Sequence, residues 1–267
     1  MSRPRTDTAP PTPQVLDKAL RVLESFDGRT PRWSEVELRR ELEIPSTTLN
    51  RILRALEGAG YLLRDDAGRY RLGVAAIRLG RRAAASIDLP AAIGPELRAL
   101  SRATDELIIL AVPELEDGTV RYVSTIDCTK RLRVTAEPGA SVPLTAGATA
   151  RAALAFQSDA DIDAILSRPR RRLAPGTLLD ASRIRDELAR TRATGSAMSW
   201  EETYEGAWAV GAPLLDTTGQ AFAAVGVAIP TVRHTPELES GIRGLVTETA
   251  TAAAARLEAG VPATATA

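Results

Sequence analysis

The stretch from Ile44 to Leu53 reads IPSTTLNRIL, and its residue pattern indicates how the amino-terminal part of the chain folds. Glu43-Ile44-Pro45 predicts a tight turn that leads into a helix. The apolar residues after the turn have the i, i+3, i+4 and i+7 spacing of one helix face: Leu49, Ile52, Leu53 and Leu56. The opposite face then holds polar and basic side chains: Ser46, Thr47, Asn50, Arg51 and Arg54. The stretch therefore predicts an amphipathic helix entered through a tight turn.

Two further helices are predicted before this turn. Residues 15–26 have apolar side chains at helical spacing, and Asp27-Gly28 ends that helix. A second helix is predicted over residues 34–42, where Ser34 and Glu37 have the spacing of a capping box. The apolar positions of this second helix are Val36 and Leu38.

A β-hairpin is predicted after the third helix, which ends at Gly58 and Gly60. Residues 61–64 and 69–72 have strand patterns and flank the turn residues Asp65-Asp66-Ala67-Gly68. Three helices with a tight turn between the second and the third, followed by a hairpin, form the layout of a winged helix-turn-helix.

The polar face of the third helix has the chemistry of a DNA-reading surface. Asn bridges N6 and N7 of adenine, Arg grips O6 and N7 of guanine, and hydroxyl groups bond phosphates or bases. Three arginines cluster in the hairpin, where DNA phosphates would neutralise them. An ordinary amphipathic surface helix is the alternative for the third helix taken alone. The predicted DNA-binding residues are Ser46, Thr47, Thr48, Asn50, Arg51, Arg54, Arg64, Arg69 and Arg71.

Composition and charge limit the possible classes. The 267 residues suffice for two domains, and the 34 basic residues balance the 34 acidic ones. Residues 1–87 hold 16 basic and 11 acidic side chains, whereas the remainder holds 18 and 23, which fits a basic binding module joined to an acidic domain. One cysteine and one histidine exclude a Cys-rich or multi-histidine metal site and an intrachain disulfide framework, so we expect no metal or cofactor. Without an apolar run of membrane length or a signal-peptide core, the chain is predicted to be cytoplasmic.

The rest of the chain mixes helices and strands. Residues 74–87 predict a linker helix with small residues on one side, and Asp88-Leu89-Pro90 predicts a boundary. Helices are predicted over residues 95–104, 148–157, 160–167, 181–194 and 236–259. Strands are predicted over residues 107–112, 120–126, 132–136, 197–200, 207–215 and 221–229. Strand hairpins interrupted by helices predict an α+β domain around an antiparallel sheet.

Sequence motifs in both predicted domains resemble those of the IclR-type transcriptional regulators. Residues 44–53, with Leu56, Gly60-Tyr61 and residues 70–73, resemble the DNA-binding domain of that family. The segment PGASVPLTAGATA at residues 138–150 is similar to the family's stretch that ends in a proline-leucine and a small-residue turn. The other landmarks are Arg192-Ala193-Thr194-Gly195, Glu201-Glu202, Gly206, Ala212-Pro213-Leu214 and the strand that ends at Pro230. The resemblance covers residues 15–260 and implies a GAF-like effector domain after the winged helix-turn-helix.

This resemblance also implies a small-molecule pocket between the sheet and the turn at residues 144–150. Gly147 and Ala148 lie where a helix is predicted to begin, so their N–H groups could receive an effector carboxylate; a flexible helix start without a ligand is the alternative. The implied effector-binding residues are Leu144, Gly147, Ala148, Ser199, Trp200, Glu201, Trp208, Ala209, Gly226 and Ala228.

Departures from the family pattern bear on the size of the effector. Thr145 stands where many members have histidine, and Ala150 where they have glycine. Since Ala209, Gly226 and Ala228 offer no hydroxyl, we expect an acid or amide larger than pyruvate, with an apolar and even aromatic body.

The predicted organisation follows from these patterns. We expect a disordered arm at 1–13, a winged helix-turn-helix at 14–73, a linker and dimerisation helix at 74–89, an effector-binding domain at 90–260 and a disordered tail at 261–267. The predicted protein is a homodimer, or a dimer of dimers, that binds a pseudo-palindromic double-stranded operator and represses a catabolic operon. An activator of the same type is one alternative. A small-molecule enzyme is less favoured, and an RNA-binding or purely structural dimer is a third class.

Overall fold

The computed structural model describes residues 14–26, 30–86 and 88–259, and for residues 81–86 the backbone alone. The predictions for the arm at 1–13, the helix end at Asp27-Gly28, Ile87 and the tail at 261–267 lie outside the described residues. So do the side chains of Ala83 and Ala84, two of the small residues predicted on one side of the linker helix. The chain divides into two compact units, residues 1–87 and 88–267.

The first unit is a small helical core closed by a hairpin. Its elements are α1 (Gln14–Glu24), α2 (Glu35–Leu42), α3 (Ser46–Gly58), β1 (Leu62–Arg64), β2 (Tyr70–Leu72) and α4 (Val74–Ser86). The two strands pair antiparallel, and Trp33 adds one bridge to Tyr70. This arrangement confirms the predicted winged helix-turn-helix.

The capping box of α2 is present, and one of the two apolar positions of that helix lies outside the core. The Ser34 hydroxyl accepts a hydrogen bond from the Glu37 N–H, and the Glu37 carboxylate accepts one from the Ser34 N–H at 2.7 Å. Leu38 is fully buried, whereas Val36 is 66% exposed. Residues two apart point about 200° away from each other around an α-helix, so they cannot both face one core.

The second unit is a six-stranded antiparallel sheet between two helical layers. The strands are β3 (Leu107–Glu114), β4 (Thr119–Ile126), β5 (Ser141–Pro143), β6 (Ala197–Trp200), β7 (Ala207–Leu215) and β8 (Ala221–Pro230). The helices are α5 (Leu89–Ala92), α6 (Gly94–Thr104), α7 (Ala148–Ala155), α8 (Asp159–Leu166), α9 (Ala181–Thr194) and α10 (Pro236–Glu258). The strand order is β5-β4-β3-β8-β7-β6. One face of the sheet packs against α7, α8 and α9, and the other against α6 and α10.

The strand predicted at residues 132–136 is wrong. These residues have no strand conformation, and β5 pairs with β4 at the sheet edge instead. Val134 and Ala136 pack partly against the core, whereas Leu132 is 60% exposed. Their apolar alternation therefore reflects side-chain packing without backbone pairing.

Helix α7 lies unusually close to the sheet, and this contact positions the candidate cavity. All eight of its residues are buried. A Cβ atom added to Gly211 would lie 2.7 Å from the Thr149 Cα, and one added to Gly226 would collide with the Thr149 hydroxyl. The two glycines, on the adjacent strands β7 and β8, thus form the seat for the first turn of α7.

Within the described ranges, none of the helices has the length and apolar character needed to cross a membrane.

Candidate DNA-binding surface and effector cavity

Helix α3 presents a polar face to solvent. Leu49, Ile52 and Leu53 are buried in the core of the first unit. The exposed residues of this helix include Ser46, Thr47, Arg51 and Arg54, while Thr48 is half-buried. Exposed hydroxyl and guanidinium groups on the second helix of a helix-turn-helix have the chemistry that reads base edges and phosphates.

Asn50 differs from its predicted outward position. It is half-buried, and its Nδ2 donates to Glu35 Oε1 at 2.7 Å. This hydrogen bond ties α3 to the start of α2, so the amide group of Asn50 is already engaged within the protein.

The hairpin arginines differ in how firmly they are held. Arg69 pairs with Glu37 at 3.2 Å and also donates to the Arg32 carbonyl. The Arg64 guanidinium lies 5.5 Å from the centre of the Tyr70 ring. Arg71 is exposed on β2. The hairpin therefore presents three positive charges, of which Arg64 and Arg69 are oriented by neighbours.

A small cavity lies where α7 begins over the sheet. Its volume is about 30 Å³, which is room for roughly two water molecules. Six predicted effector residues are among those that line it: Gly147, Ala148, Ser199, Trp208, Ala209 and Ala228. The lining residues that the sequence did not predict are Ile109, Tyr122, Ala146, Thr149, Ala150, Glu202, Thr203, Tyr204 and Ala207.

A buried ion pair occupies the start of α7. Glu202 Oε2 accepts a hydrogen bond from the Gly147 N–H at 3.1 Å and forms an ion pair with Arg151. The Arg151 side chain is 1% exposed and that of Glu202 is 6% exposed. Arg151 also donates from Nη2 to the Met198 carbonyl of β6. One of the two N–H groups predicted for an effector carboxylate, that of Gly147, therefore binds a carboxylate of the protein itself.

Hydroxyl groups line the cavity, contrary to the predicted apolar wall. They belong to Tyr122, Thr149, Ser199, Thr203 and Tyr204. Burial, together with the nearby Tyr204, raises the pKa of the Tyr122 hydroxyl. Burial and the charge of Glu137 raise the pKa of Tyr204. Both phenols are therefore protonated at neutral pH and can donate hydrogen bonds. The expectation of an apolar wall rested on Ala209, Gly226 and Ala228; of the five hydroxyl-bearing residues, only Ser199 was among the predicted effector residues.

Four of the predicted effector residues lie outside the cavity lining. Leu144 is fully buried in the core, and Gly226 lies beneath Thr149. The Glu201 carboxylate accepts a hydrogen bond from the Gly206 N–H at 2.9 Å and so closes the turn between β6 and β7. Trp200 is 41% exposed and lines a separate cavity of about 660 Å³.

The two tryptophans of the second unit flank its histidine. The ring centre of His234 lies 5.0 Å from that of Trp200 and 4.9 Å from that of Trp208, edge-on in both cases. Trp208, although it is among the lining residues, is fully buried and belongs to the core beneath α10. A hydrogen bond with His234, with Arg243 beside it, holds the pKa of Glu239 below its usual value. These contacts give His234 a structural role beside the start of α10.

One sequence signal could have found the ion pair. Helix α7 reads ATARAALA, in which Arg151 is the single charged residue. A cation in an otherwise apolar helix needs a buried partner of opposite sign. The adjacent pair Glu201-Glu202 offers that charge, but only the fold brings it to Arg151.

The chain matches two family profiles. The profile described as "IclR helix-turn-helix domain" matches residues 15–66, and the one described as "Bacterial transcriptional regulator IclR C-terminal" matches residues 81–255.

Individual relatives cover most of the chain. HTH-type transcriptional regulator Rv1719 of Mycobacterium tuberculosis is 32% identical over 87% of this chain and 88% of its own length. Transcriptional repressor IclR of Escherichia coli is 27% identical over 88% of this chain and 87% of its own length. Among solved structures, an IclR homolog from Microbacterium hydrocarbonoxydans, complexed with 4-hydroxybenzoate, superposes with a TM-score of 0.60. That structure is 23% identical to this chain and covers 92% of it and 99% of its own chain, so the likeness is one of fold.

Proposed function

This chain belongs to the IclR family of transcriptional regulators, and from that membership we propose that it is a cytoplasmic repressor of a catabolic operon. Like its relatives, it is a DNA-binding regulator and not an enzyme. The proposal of repression is supported by the 27% identical Escherichia coli relative, which is named a repressor.

The exposed polar face of α3 is the observation that supports operator recognition most directly. In this proposal α3 lies in the major groove and the hairpin lies over the phosphate backbone. Base contacts are assigned to Arg51 and Arg54, with Ser46, Thr47 and Thr48 at the amino-terminal end of the helix. Asn50 contacts DNA only if its hydrogen bond to Glu35 is exchanged or shared. Phosphate contacts are assigned to Arg64, Arg69 and Arg71.

The proposed protein is a homodimer whose two α3 helices read a pseudo-palindromic operator. Two recognition helices related by a two-fold axis would be spaced by about one turn of DNA, roughly 34 Å. The first unit has apolar side chains available for such a contact. On α1, Val15, Leu16 and Leu20 are 59%, 51% and 48% exposed.

The proposed effector is a small organic acid or amide that binds in the cavity beside α7. The proposal is supported by the buried polar groups that converge there from α7, β4, β6 and the turn at residues 201–206. A ligand larger than pyruvate exceeds the cavity's volume of about 30 Å³, so the outer part of this turn, which follows Glu202, must move on binding. Tyr204 and Ala207 line both the cavity and an outer groove of about 410 Å³, which provides the entry path.

Operator binding by the full chain tests this function. The experiment measures its affinity for DNA from its own promoter region and for random duplex over a range of salt concentrations. We expect Arg51→Ala to weaken operator binding by about 1–3 kcal/mol and to relax specificity. Arg71→Ala should weaken both complexes and reduce the salt dependence. Equal affinity of the wild type for operator and random duplex would contradict the proposal, and equal losses for Arg51→Ala would reassign that residue to phosphate.

A further inference from the structure

We propose that Glu202 is a built-in carboxylate ligand of the sensing cavity, and that the cavity therefore selects an uncharged effector. This inference rests on the proposed function, because it concerns the cavity to which effector binding is assigned. It narrows the proposed acid or amide to the amide, or to another neutral molecule with hydrogen-bonding groups.

One internal carboxylate engages both the buried cation of α7 and the Gly147 N–H, which is one of the two N–H groups predicted for an anion. Glu202 Oε2 accepts a hydrogen bond from the Gly147 N–H at 3.1 Å and forms an ion pair with the Arg151 guanidinium. Gly147 is the N-cap of α7, so the same carboxylate also meets the positive end of the helix dipole. The second terminal nitrogen of Arg151 is engaged by the Met198 carbonyl.

The electrostatics of the cavity disfavour a second carboxylate. Arg151 and Glu202 are both almost fully buried, and their charges compensate each other. Among the lining residues, the other ionisable side chains are Tyr122 and Tyr204, whose pKa values are raised by burial. A ligand carboxylate would therefore enter a poorly solvated site beside Glu202 without a counter-charge of its own, which is strongly unfavourable.

A neutral ligand would meet groups that can both donate and accept hydrogen bonds. The cavity presents hydroxyl groups from the sheet, from α7 and from the turn at residues 201–206. A hydroxyl group both donates and accepts, so these side chains can satisfy an amide, whose carbonyl accepts and whose NH₂ group donates. An uncharged head group would thus be paired without displacing Glu202 from Arg151.

The turn that bears Glu202 is held by bonds that do not involve its carboxylate. The Thr177 hydroxyl donates to the Glu202 carbonyl at 2.7 Å, and the Gly176 N–H donates to the Glu201 carbonyl at 2.8 Å. The Glu201 carboxylate binds the Gly206 N–H at 2.9 Å. A truncation at Glu202 consequently removes the internal ligand while the backbone of the turn keeps its own attachments.

Chemical rescue with formate tests the built-in ligand in the full chain. Glu202→Ala leaves Arg151 buried without a counter-charge, so we expect the melting temperature of the variant to fall by roughly 10 °C. Formate supplies the missing carboxylate, and at ten times its Kd it should restore about 4 °C of that loss. Formamide, which has the same shape without the charge, should restore nothing. The matched control is Glu201→Ala, which removes the neighbouring carboxylate and should not respond to formate.

A second experiment uses the wild-type protein, so its result does not depend on whether a variant folds. With Glu202 in place, formate should stabilise it no more than chloride at equal ionic strength. A saturable stabilisation of the wild type by formate, or a folded Glu202→Ala variant that formate does not rescue, would overturn the inference.

Matched pairs of primary amides and their parent acids, such as benzamide with benzoate, test the selectivity. Where either member of a pair binds, the wild type should bind the amide at least about tenfold tighter. If the acid of such a pair binds tighter and also changes operator affinity, the proposed function stands and this inference fails. If neither member of any pair changes operator affinity while formate rescues Glu202→Ala, the proposed function fails instead.

Discussion

The hydroxyl of Ser34 shows how one residue can fix the start of a helix. It accepts from the Glu37 N–H, and the Glu37 carboxylate returns a hydrogen bond to the Ser34 N–H. The hydrogen bond from the Ser34 N–H, together with the Ser34 hydroxyl beside the carboxylate, holds the pKa of Glu37 below its usual value. Both partners could be predicted from the sequence, because a capping box depends on residue types at a fixed local spacing.

Removal of this hydroxyl should destabilise the first unit. We expect Ser34→Ala to lower its free energy of unfolding by about 1 kcal/mol, because the Glu37 N–H loses its acceptor. Denaturant unfolding, followed through Trp33 fluorescence, measures the change. Ser46→Ala is the matched control, since α3 begins after Pro45 without a side-chain cap hydrogen bond. A loss for Ser46→Ala as large as that for Ser34→Ala would contradict this role of the cap.

Other side chains could not be placed from the sequence, because their partners are distant along the chain. Asn50 has the spacing of an outward residue, yet its amide reaches Glu35 on the preceding helix. Arg151 and Glu202 are 51 positions apart and meet only after the sheet has formed. Local periodicity predicts which face a residue occupies, but it does not predict which distant group that face meets.

At the scale of elements, the sequence predicted the helices and the long strands of the second unit well. Helix α9 over Ala181–Thr194 and strand β7 over Ala207–Leu215 have the predicted bounds, because strong periodicity ends at clear turn residues. The short edge strand β5 was missed, since three residues hold too little pattern to be recognised. The close contact of α7 with the sheet could not be predicted from the sequence either, because it depends on glycines that face a helix distant along the chain.

That close contact leads to a prediction about Gly211. A Cβ atom at this position would lie 2.7 Å from the Cα and N atoms of Thr149, which are backbone atoms and cannot rotate away. We therefore expect Gly211→Ala to lower the free energy of unfolding of the second unit by about 1–3 kcal/mol. Denaturant unfolding of the full chain measures the loss.

Gly241 provides the control for this substitution. It lies on the exposed side of α10, and an added Cβ atom would meet no atom within 4 Å. Gly241→Ala should therefore stabilise the unit by roughly 0.5–1 kcal/mol, because alanine favours the helix. If Gly211→Ala proved neutral or stabilising, the close packing of α7 against the sheet at Gly211 would be refuted.

At the scale of the whole molecule, regulation requires the two units to be thermodynamically linked. An effector that changes operator affinity by some factor must have its own affinity changed by the same factor when operator is bound. A dimer has a higher operator affinity than a monomer, because the second recognition helix binds its half-site at a high effective concentration.

The exposed apolar face of α1 is the surface on which we expect that dimer to depend. Leu16 and Leu20 are one helical turn apart and about half exposed in the single chain. In α4, an added Cβ at Gly80 would meet no atom within 4 Å, so the helix surface there is open to a neighbour. A second copy that covers these surfaces would remove apolar area from water, which favours association.

Two charges on α1 should therefore separate the protomers without unfolding them. We expect the double variant Leu16→Glu/Leu20→Glu to sediment as a folded monomer at micromolar concentration. Its affinity for a full operator should fall by about 10²–10⁴-fold, because the two half-sites are no longer bound by one linked particle. Arg51→Ala is the control, since it should weaken operator binding and leave the dimer intact. A monomeric double variant that binds the full operator as tightly as the wild type would show that recognition does not need the α1 surface.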